Sequence, residues 1–318
     1  MLKRYFKRLL PEKKHFTGVD IGTDFIRAAE IRIIDGFPEV TALKKLPSPP
    51  GVWTDNFDEE GLVVALKEIL NPVYKEVVTC ISGEKTVCRI IKLPQMSDKE
   101  LCSAVGFEIQ KFVPTPVEQL VVRHIRLGRM ISGPENIWAR ETKDAGEDQD
   151  SQDLLALAVP LATVYQYHSI FTRAGFTVTA VDLQAFALWR VFGRNTQGVT
   201  AIADIGAKTS HFILLRDGLI RFTRFLPAGG DNLPEITKEL QRSLDYYSTQ
   251  ENIAVEKLVL SGGASEFGFL TGHLQRAFGA CTGAGSPEVD FSVSGMYDPA
   301  YAVPIGLALR EVSSHVPV

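Results

Sequence analysis

The fold is decided by the stretch Thr17-Gly18-Val19-Asp20-Ile21-Gly22-Thr23 and by its diverged second copy, Ala201-Ile202-Ala203-Asp204-Ile205-Gly206-Ala207. In each copy a β-type run leads into an Asp-x-Gly turn and a second β-type run follows it. An Asp-Gly pair, at 35–36 or 217–218, then marks a hairpin. Two equivalent antiparallel openings about 180 residues apart predict two lobes that share one topology.

Between and after the two copies, apolar spacing and turn residues predict alternating strands and helices. Ser97 and Glu100 form a capping box before one helix, and Gly175 is a suitable left-handed residue at the end of another. The predicted helices lie at 62–70, 97–112, 163–174, 184–192, 233–247, 264–278 and 300–312, and the predicted strands at 77–81, 86–91, 154–159, 176–181 and 258–260.

Composition favours a globular protein in a reducing compartment. The 318 residues are 45% hydrophobic and 23% charged, and the net charge of −4 supplies no general attraction to nucleic acid. The four cysteines and six histidines show no metal-ligand spacing, so we expect reduced thiols and no structural metal. The longest uncharged apolar run, 154–162, is less than half of the roughly 20 residues that span a bilayer.

Two segments have unusual charge patterns. In the first ten residues, apolar and basic side chains fall on opposite sides of a helix that Pro11 ends. Such a helix either lies on an anionic membrane or a partner, or is a solvated terminus, and the residues do not decide between these. Residues 132–153 contain seven acidic and two basic side chains without periodicity, which predicts an exposed hairpin tip.

The two Asp-x-Gly turns suggest phosphate and metal chemistry, since neither a Gly-x4-Gly-Lys-Ser/Thr loop nor a Gly-x-Gly-x-x-Gly fingerprint is present. A tight turn directs backbone N–H groups into one concavity, and Gly22 and Gly206 lack a Cβ that would hold a phosphate away. Asp20 and Asp204, facing each other, could hold a hydrated Mg²⁺. Taken singly, an Asp-x-Gly is usually only a turn.

Two further features complete this pattern. Gly262 and Gly263 end a strand and open a helix, where the flat face of a base or sugar could pack. Gln184, at the start of a helix between the lobes, could orient an attacking water. Alone, a Gly-Gly pair usually only lets a helix pack, and a lone Gln is usually a surface residue. The order of the three turns, each in a matching strand context, is the specific signal.

These motifs resemble the phosphate-1, connect-1, phosphate-2 and adenosine motifs of the actin superfamily. The resemblance implies an α/β, two-lobed actin-like fold, a duplicated ribonuclease H-like unit. It also adds Thr23 and Arg27 to the nucleotide-binding residues. The candidate site is therefore Asp20, Gly22, Thr23, Arg27, Asp204, Gly206, Gly262 and Gly263 for ATP, Asp20 and Asp204 for Mg²⁺ through water, and Gln184 for catalysis.

Within the superfamily the chain is most similar to the PilM family of type IV pilus assembly proteins. The likeness extends from about residue 16 to residue 310 and is carried by Leu93–Leu101, Phe107–Pro114, Ala174–Leu188, Leu240–Tyr247 and Ile305–Arg310. It implies a basic amphipathic segment at 1–15, lobe I at 16–199 with an extra subdomain at about 95–181, lobe II at 200–299, and a C-terminal helix at 300–318 that returns to lobe I.

The resemblance also implies a function. Such proteins are scaffolds at the cytoplasmic face of the inner membrane. They bind the N-terminal cytoplasmic peptide of PilN beside the extra subdomain, act with PilO and PilP beneath the pilus motor platform, and bind ATP, with at most weak hydrolysis. This chain departs from the family in two ways: Gly229-Gly230-Asp231 runs almost directly into a helix, so the helical subdomain of lobe II is reduced, and Arg27 stands where Lys is common.

Other functions remain open from the sequence. An actin-superfamily ATPase or small-metabolite kinase needs a positioned base, and only the two turn aspartates are available. A filament-forming protein like FtsA has a C-terminal amphipathic helix, for which residues 313–318 are too short. The cytoplasmic part of a type II secretion protein (GspL) is a related possibility. Such a protein normally continues into a transmembrane helix, which this sequence does not contain.

Overall fold

The structure is a computed structural model that describes residues 15–52, 58–127, 151–194, 196–251, 254–264, 267–287, 289–292 and 297–312. The strands are β1 (His15–Ile21), β2 (Phe25–Ile34), β3 (Phe37–Pro47), β4 (Glu76–Ile81), β5 (Val87–Pro94), β6 (Leu120–Leu127), β7 (Ser151–Pro160), β8 (Thr177–Leu183), β9 (Val199–Ile205), β10 (Ser210–Arg216), β11 (Leu219–Leu226), β12 (Lys257–Ser261), β13 (Cys281–Ala284) and β14 (Asp290–Phe291). The α-helices are α1 (Glu59–Ile69), α2 (Asp98–Gln110), α3 (Leu161–Ala174), α4 (Gln184–Phe192), α5 (Leu233–Glu251), α6 (Phe267–Phe278) and α7 (Ala302–Val312). The predicted N-terminal helix and most of the acidic stretch at 132–153 lie outside the described residues.

The duplication predicted from the two Asp-x-Gly turns is visible in the sheets. Lobe I has the strand order β14-β3-β2-β1-β4-β8 and lobe II the order β11-β10-β9-β12-β13. In both, the first three strands of the repeat are antiparallel and the next two are added in parallel. The registers also correspond, because Asp20 lies opposite Arg27 and Asp204 lies opposite His211. The predicted two-lobed actin-like fold is confirmed.

Each lobe has an apolar core on its own sheet. In lobe I, α1 and α3 cover the sheet through residues such as Leu62, Leu66 and Phe171, which are completely buried. In lobe II, α5 and α6 cover the other sheet. Buried Glu30 in β2 is held by His15 Nε2 at 3.1 Å and by Lys44 Nζ at 2.9 Å, so its charge does not lie unpaired in the sheet.

An extra unit is inserted between β4 and α3 of lobe I. It is a three-stranded sheet, β5-β7-β6, covered by α2, with Leu101, Val105 and Ile109 of the helix completely buried. The capping box predicted for α2 is present, since the Ser97 hydroxyl accepts from the Glu100 N–H and the Glu100 carboxylate accepts from Ser97. Together these elements form a compact unit with its own small core.

The bounds of this unit differ from the expected 95–181. β5 pairs with β7 along its whole length, from Val87 opposite Ala158 to Pro94 opposite Ser151, so the unit begins before residue 95. After β7 the chain has left it, because β8 pairs with β4 in the lobe I sheet and α3 packs against α1. We therefore propose 87–160 as the subdomain.

Two helices, α4 and α7, join the lobes. They pack so closely that a Cβ on Gly306 of α7 would lie 2.0 Å from the carbonyl oxygen of Ala187 in α4. The α7 helix lies equally close to β1, since a Cβ on Gly18 would lie 2.0 Å from the carbonyl oxygen of Pro304. The return to lobe I begins before the expected residue 300, because β14 pairs in parallel with β3.

Lobe II has a short connection after its third strand. β11 ends at Leu226 and α5 begins at Leu233, with only a short turn between them. Across the ranges that the structure describes, no helix combines the length and the apolar character needed to cross a bilayer.

Candidate functional site

The sequence motifs meet in one cleft between the lobes. It has a volume of about 130 Å³ and lies where both Asp-x-Gly turns, the Gly-Gly turn and the start of α4 converge. Every residue of the predicted site lines it: Asp20, Gly22, Thr23, Arg27, Gln184, Asp204, Gly206, Gly262 and Gly263. The structure thus brings together residues that lie up to 243 positions apart in the chain, from 20 to 263.

The turn glycines have a structural reason beyond the one expected from the sequence. The Gly22 N–H donates to Phe25 O at 3.1 Å, and the Gly206 N–H donates to Thr209 O at 3.0 Å. A Cβ on Gly22 or Gly206 would lie 3.0 or 2.7 Å from the same oxygens. Glycine therefore avoids a tight contact in the first turn and a severe one in the second, in addition to leaving room for a ligand.

The second turn is held from outside by the short segment between β11 and α5. The Gly230 N–H donates to Gly206 O at 2.8 Å and the Asp231 N–H donates to Ala207 O at 2.9 Å. A Cβ on Gly229 would lie 2.3 Å from the Ala207 oxygen. The short link between β11 and α5 thus fixes the conformation of the turn.

Two buried carboxyl groups face the cleft from the two lobes. Burial raises the pKa of Asp20, while the nearby Arg27 guanidinium opposes that rise. Burial, and then repulsion from Asp20, raises the pKa of Asp204 to about 6, although hydrogen bonds from Ser261 and Gln184 favour its charged form. Mutual repulsion between two carboxylates is what a divalent cation relieves.

The donor set fits a hydrated Mg²⁺ and not a fully protein-ligated metal. Within the described ranges no group of three His, Cys, Asp or Glu side chains is placed to hold a metal ion. Mg²⁺ usually keeps several waters and needs only one or two carboxylates. Asp20 and Asp204 supply those two.

The Gln184 side chain is hydrogen-bonded to Asp204. Its Nε2 donates to Asp204 Oδ2 at 2.8 Å, which fixes the orientation of the amide at the start of α4. The Oε1 atom of the same amide is an acceptor suited to a water bound near the carboxylate.

Arg27 extends across the cleft from lobe I to lobe II. Its Nη1 lies 3.9 Å from the position of a Cβ on Gly22, and its Nη2 lies 2.6 Å from that of a Cβ on Gly263. Its Cζ lies 5.4 Å from the centre of the Phe25 ring, and its buried Nε has no hydrogen-bond partner among the described residues. The guanidinium thus lies beside Gly263, where we expected from the sequence that the flat face of a base or sugar would pack.

The Gly-Gly turn is needed for close packing between strands. Gly262 has φ +94°, and a Cβ there would lie 2.4 Å from Ile205 O. The Ala264 N–H donates to the same oxygen at 3.0 Å, and the Gly262 N–H donates to Pro299 O at 3.2 Å. Gly262 therefore lets the end of β12 lie directly on the end of β9.

The structure adds cleft residues that the sequence analysis missed. The Cys80 thiol lies 3.7 Å from Asp20 Oδ1, the Phe225 side chain lines the cleft, and the Ser261 hydroxyl, just outside the lining, hydrogen-bonds to Asp204. Ser261 could have been found, because it directly precedes the Gly-Gly pair. Cys80 and Phe225 come from strands without a motif, and only the sheet order brings them to the cleft.

The size of the cleft limits what it holds in this form. Small-molecule sites usually enclose about 300–1,000 Å³, and this cleft encloses about 130 Å³. This arrangement therefore has room for phosphate groups, whereas a whole nucleotide requires the lobes to separate or Arg27 to move.

Comparison with solved structures supports the fold. The chain aligns with the structure titled "PilM-PilN type IV pilus biogenesis complex" with a TM-score of 0.78 at 22% identity, over 95% of this chain and 99% of that one. The cytoplasmic domain of EpsL from the type II secretion system of Vibrio cholerae aligns with a TM-score of 0.54 at 11% identity, over 93% and 95% of the two chains. The ethanolamine utilization protein EutJ from Carboxydothermus hydrogenoformans gives 0.52 at 14% identity, over 94% and 90%.

The family itself is shown by the sequence model for the type IV pilus assembly protein PilM, which matches residues 18–236. This match covers more than two thirds of the 318 residues, and it includes both Asp-x-Gly turns and the inserted three-stranded unit. The chain belongs to the PilM family of type IV pilus assembly proteins.

Proposed function

We propose that this protein is a cytoplasmic scaffold of the inner-membrane complex that assembles type IV pili. Its direct partner would be the N-terminal cytoplasmic peptide of a PilN-like membrane protein, with PilO- and PilP-like proteins and the motor platform reached indirectly. The observation that carries the proposal is the inserted β5-β7-β6 unit with α2, a separately packed subdomain in a chain of the PilM family. The protein would thereby be peripheral to the inner membrane.

We place the partner surface within the expected region 95–181, on the outer face of α2. Phe107 is 75% exposed there, although the opposite side of the same helix is completely buried. An exposed aromatic side chain on a rigid helix is a typical anchor for a protein partner. Phe37, the first residue of β3, is 69% exposed and offers a matched control outside this region.

The test is a calorimetric titration of a synthetic peptide with the sequence of that N-terminal segment. We expect micromolar binding, about −8 kcal/mol, and a loss of about tenfold in affinity for Phe107→Ala. Phe37→Ala should bind as the unchanged protein does. Absence of binding to folded protein, or equal losses in both variants, would refute the scaffold proposal or this placement of the site.

We also propose that ATP with Mg²⁺ is a conformational ligand of the cleft. Asp20 and Asp204 would hold Mg²⁺ through water, while Thr23 and the turn N–H groups would bind phosphate oxygens. Arg27 would move from Gly263 to a phosphate. The bound nucleotide would thereby contact residues of both lobes at once. This is supported by the convergence of the motifs and the fit of the two carboxyl groups to a hydrated cation.

Nucleotide binding is tested by fluorescence titration with a labelled ATP analogue, with and without Mg²⁺. We expect Asp204→Ala to remove the Mg²⁺ dependence and Arg27→Ala to weaken binding about tenfold. A weak ATPase is the second candidate function, because a carboxyl with a pKa of about 6 next to the Gln184 amide suits a water-activating site. Absence of phosphate release by the unchanged protein would refute that activity, and release that persists in Asp204→Ala would refute its assignment to this site.

A further inference from the structure

A second site lies on the side of the molecule where the inserted unit meets lobe II. Two adjoining pockets there, of about 320 and 200 Å³, share Cys88 and Arg89 of β5 and Phe222 and Thr223 of β11. Because they share these walls, we treat them as one feature, the β5–β11 groove. No function assigned to the chain so far uses it.

Both walls of the groove are edge strands. β5 is the outer strand of the β5-β7-β6 sheet and β11 is the outer strand of the lobe II sheet, among the strands that the structure describes. The two approach within 8 Å between Cα atoms but are not paired with each other. An edge strand presents a row of backbone donors and acceptors, which extended peptides recognise without a fixed sequence.

The charge in the groove has one sign. Three arginines, Arg89, Arg221 and Arg224, line it, and among its described lining residues there is no Asp or Glu. Arg224 already pairs with Glu239 at 2.8 Å. The buried Nε of Arg221 has no partner in the described part of the chain, and exposed Arg89 stacks at 5.6 Å on the Phe112 ring without an ion pair there.

From these observations we infer that the β5–β11 groove binds an extended, acidic segment of a partner protein. One edge strand supplies backbone hydrogen bonds, because pairing with both would need walls about 10 Å apart and these approach within 8 Å. Arg89 and Arg221 supply two cations for alternate side chains of the segment, which point the same way along a strand. A peptide explains the groove better than nucleic acid does, because the net charge of the chain is −4. The Phe222 and Tyr246 rings lie 5.4 Å apart, tilted by 35° to each other, so they pack on one another and leave no space for a base to stack between them.

The inference does not depend on the proposed membrane partner. That partner is tested at Phe107 on α2, whereas this groove is tested at Arg89 and Arg221. Loss of the PilN-like peptide in the Phe107 variant, with the groove still active, would separate the two sites. Each proposal can therefore fail in its own experiment without affecting the result of the other.

The probe is a fluorescein-labelled octapeptide of alternating Glu and Val, measured by anisotropy with the purified full chain. A matched Lys-Val octapeptide and a labelled dodecamer of deoxythymidine are the comparison probes. We expect a Kd on the order of 10⁻⁵ M for the Glu-Val peptide, with little binding of the other two. Arg89→Ala and Arg221→Ala should each weaken it about fivefold or more.

Arg276→Ala is the matched control, because Arg276 is exposed on α6 and does not line the groove. Arg89 is itself exposed, so Arg89→Ala keeps the test valid if the Arg221 variant fails to fold, and thermal melts check folding in each case. Equal weakening by Arg89→Ala and Arg276→Ala would overturn the inference. So would equal binding of the Lys-Val peptide, tighter binding of the oligonucleotide, or no binding of the Glu-Val peptide by folded protein.

Discussion

Replacement of Asp204 by Asn should stabilise the protein near neutral pH. The Asp204 carboxyl has an ordinary pKa of 3.8 and a pKa of about 6 in the fold, because burial and the Asp20 charge penalise its ionised form. The folded state therefore loses stability as pH rises from about 3.8 to about 6, and the loss is complete above that. The two pKa values correspond to about 3 kcal/mol at pH 7 to 8.

The Asn variant removes this penalty and keeps most of the local structure, since its amide oxygen can still accept from Gln184. The gain should therefore be about 3 kcal/mol at pH 8, about half of that at pH 5 and small at pH 4. Asp245→Asn is the control, because Asp245 is exposed on α5.

The assay is urea unfolding at constant ionic strength, followed by tryptophan fluorescence, at four pH values from 4 to 8. A higher urea midpoint for Asp204→Asn at pH 8 that converges with the unchanged protein at pH 4 would support the reasoning. A gain that is independent of pH, or no gain at pH 8, would refute it, because the penalty would then not come from the ionised carboxylate. The same variant should lose Mg²⁺-dependent binding, the usual cost of stabilising a functional site.

Three further results follow from the structure. Gly306→Ala should lower the free energy of unfolding by about 1–3 kcal/mol because its Cβ meets the α4 backbone, whereas Gly268→Ala, with open space around it, should not; urea unfolding compares them. Glu30→Gln should destabilise the fold by about 1–2 kcal/mol at pH 7, since a histidine hydrogen bond and then a lysine hold the Glu30 pKa at about 2, and the difference should close as pH falls from 4.5 to about 2 in the same assay. Native protein should react with Ellman's reagent fastest at exposed Cys102 and Cys281, more slowly at half-buried Cys88, whose thiol pKa is raised by desolvation, and slowest at buried Cys80; four equally fast thiols would contradict the described packing.

The local signals in the sequence were enough to predict the two lobes. The repeated Asp-x-Gly openings, the capping box at Ser97 and the left-handed Gly175 are each determined within a few residues, and each is present in the structure. They depend on turn geometry, which neighbouring residues dictate.

The features that the sequence left undetermined depend on pairing between distant segments. β5 belongs to the inserted unit because it pairs with β7, some 60 residues later, and its own apolar pattern does not distinguish the two possible sheets. Cys80 reaches the cleft only because β4 lies beside β1. For the same reason the β5–β11 groove could not be predicted, since one wall belongs to the inserted unit and the other to lobe II, which are far apart in the sequence.

The direct contact of α7 with the backbone of α4 determines how the cleft can open. At Gly306 the main chains of the two helices touch without an intervening side chain, so no rotamer change at this crossing can let one helix slide past the other. A shear movement needs such an adaptable layer, whereas a hinge needs only a few residues at element ends that change their φ and ψ angles. The lobes should therefore rotate as rigid halves about this crossing, with the bending confined to the chain just before α4 and just before α7.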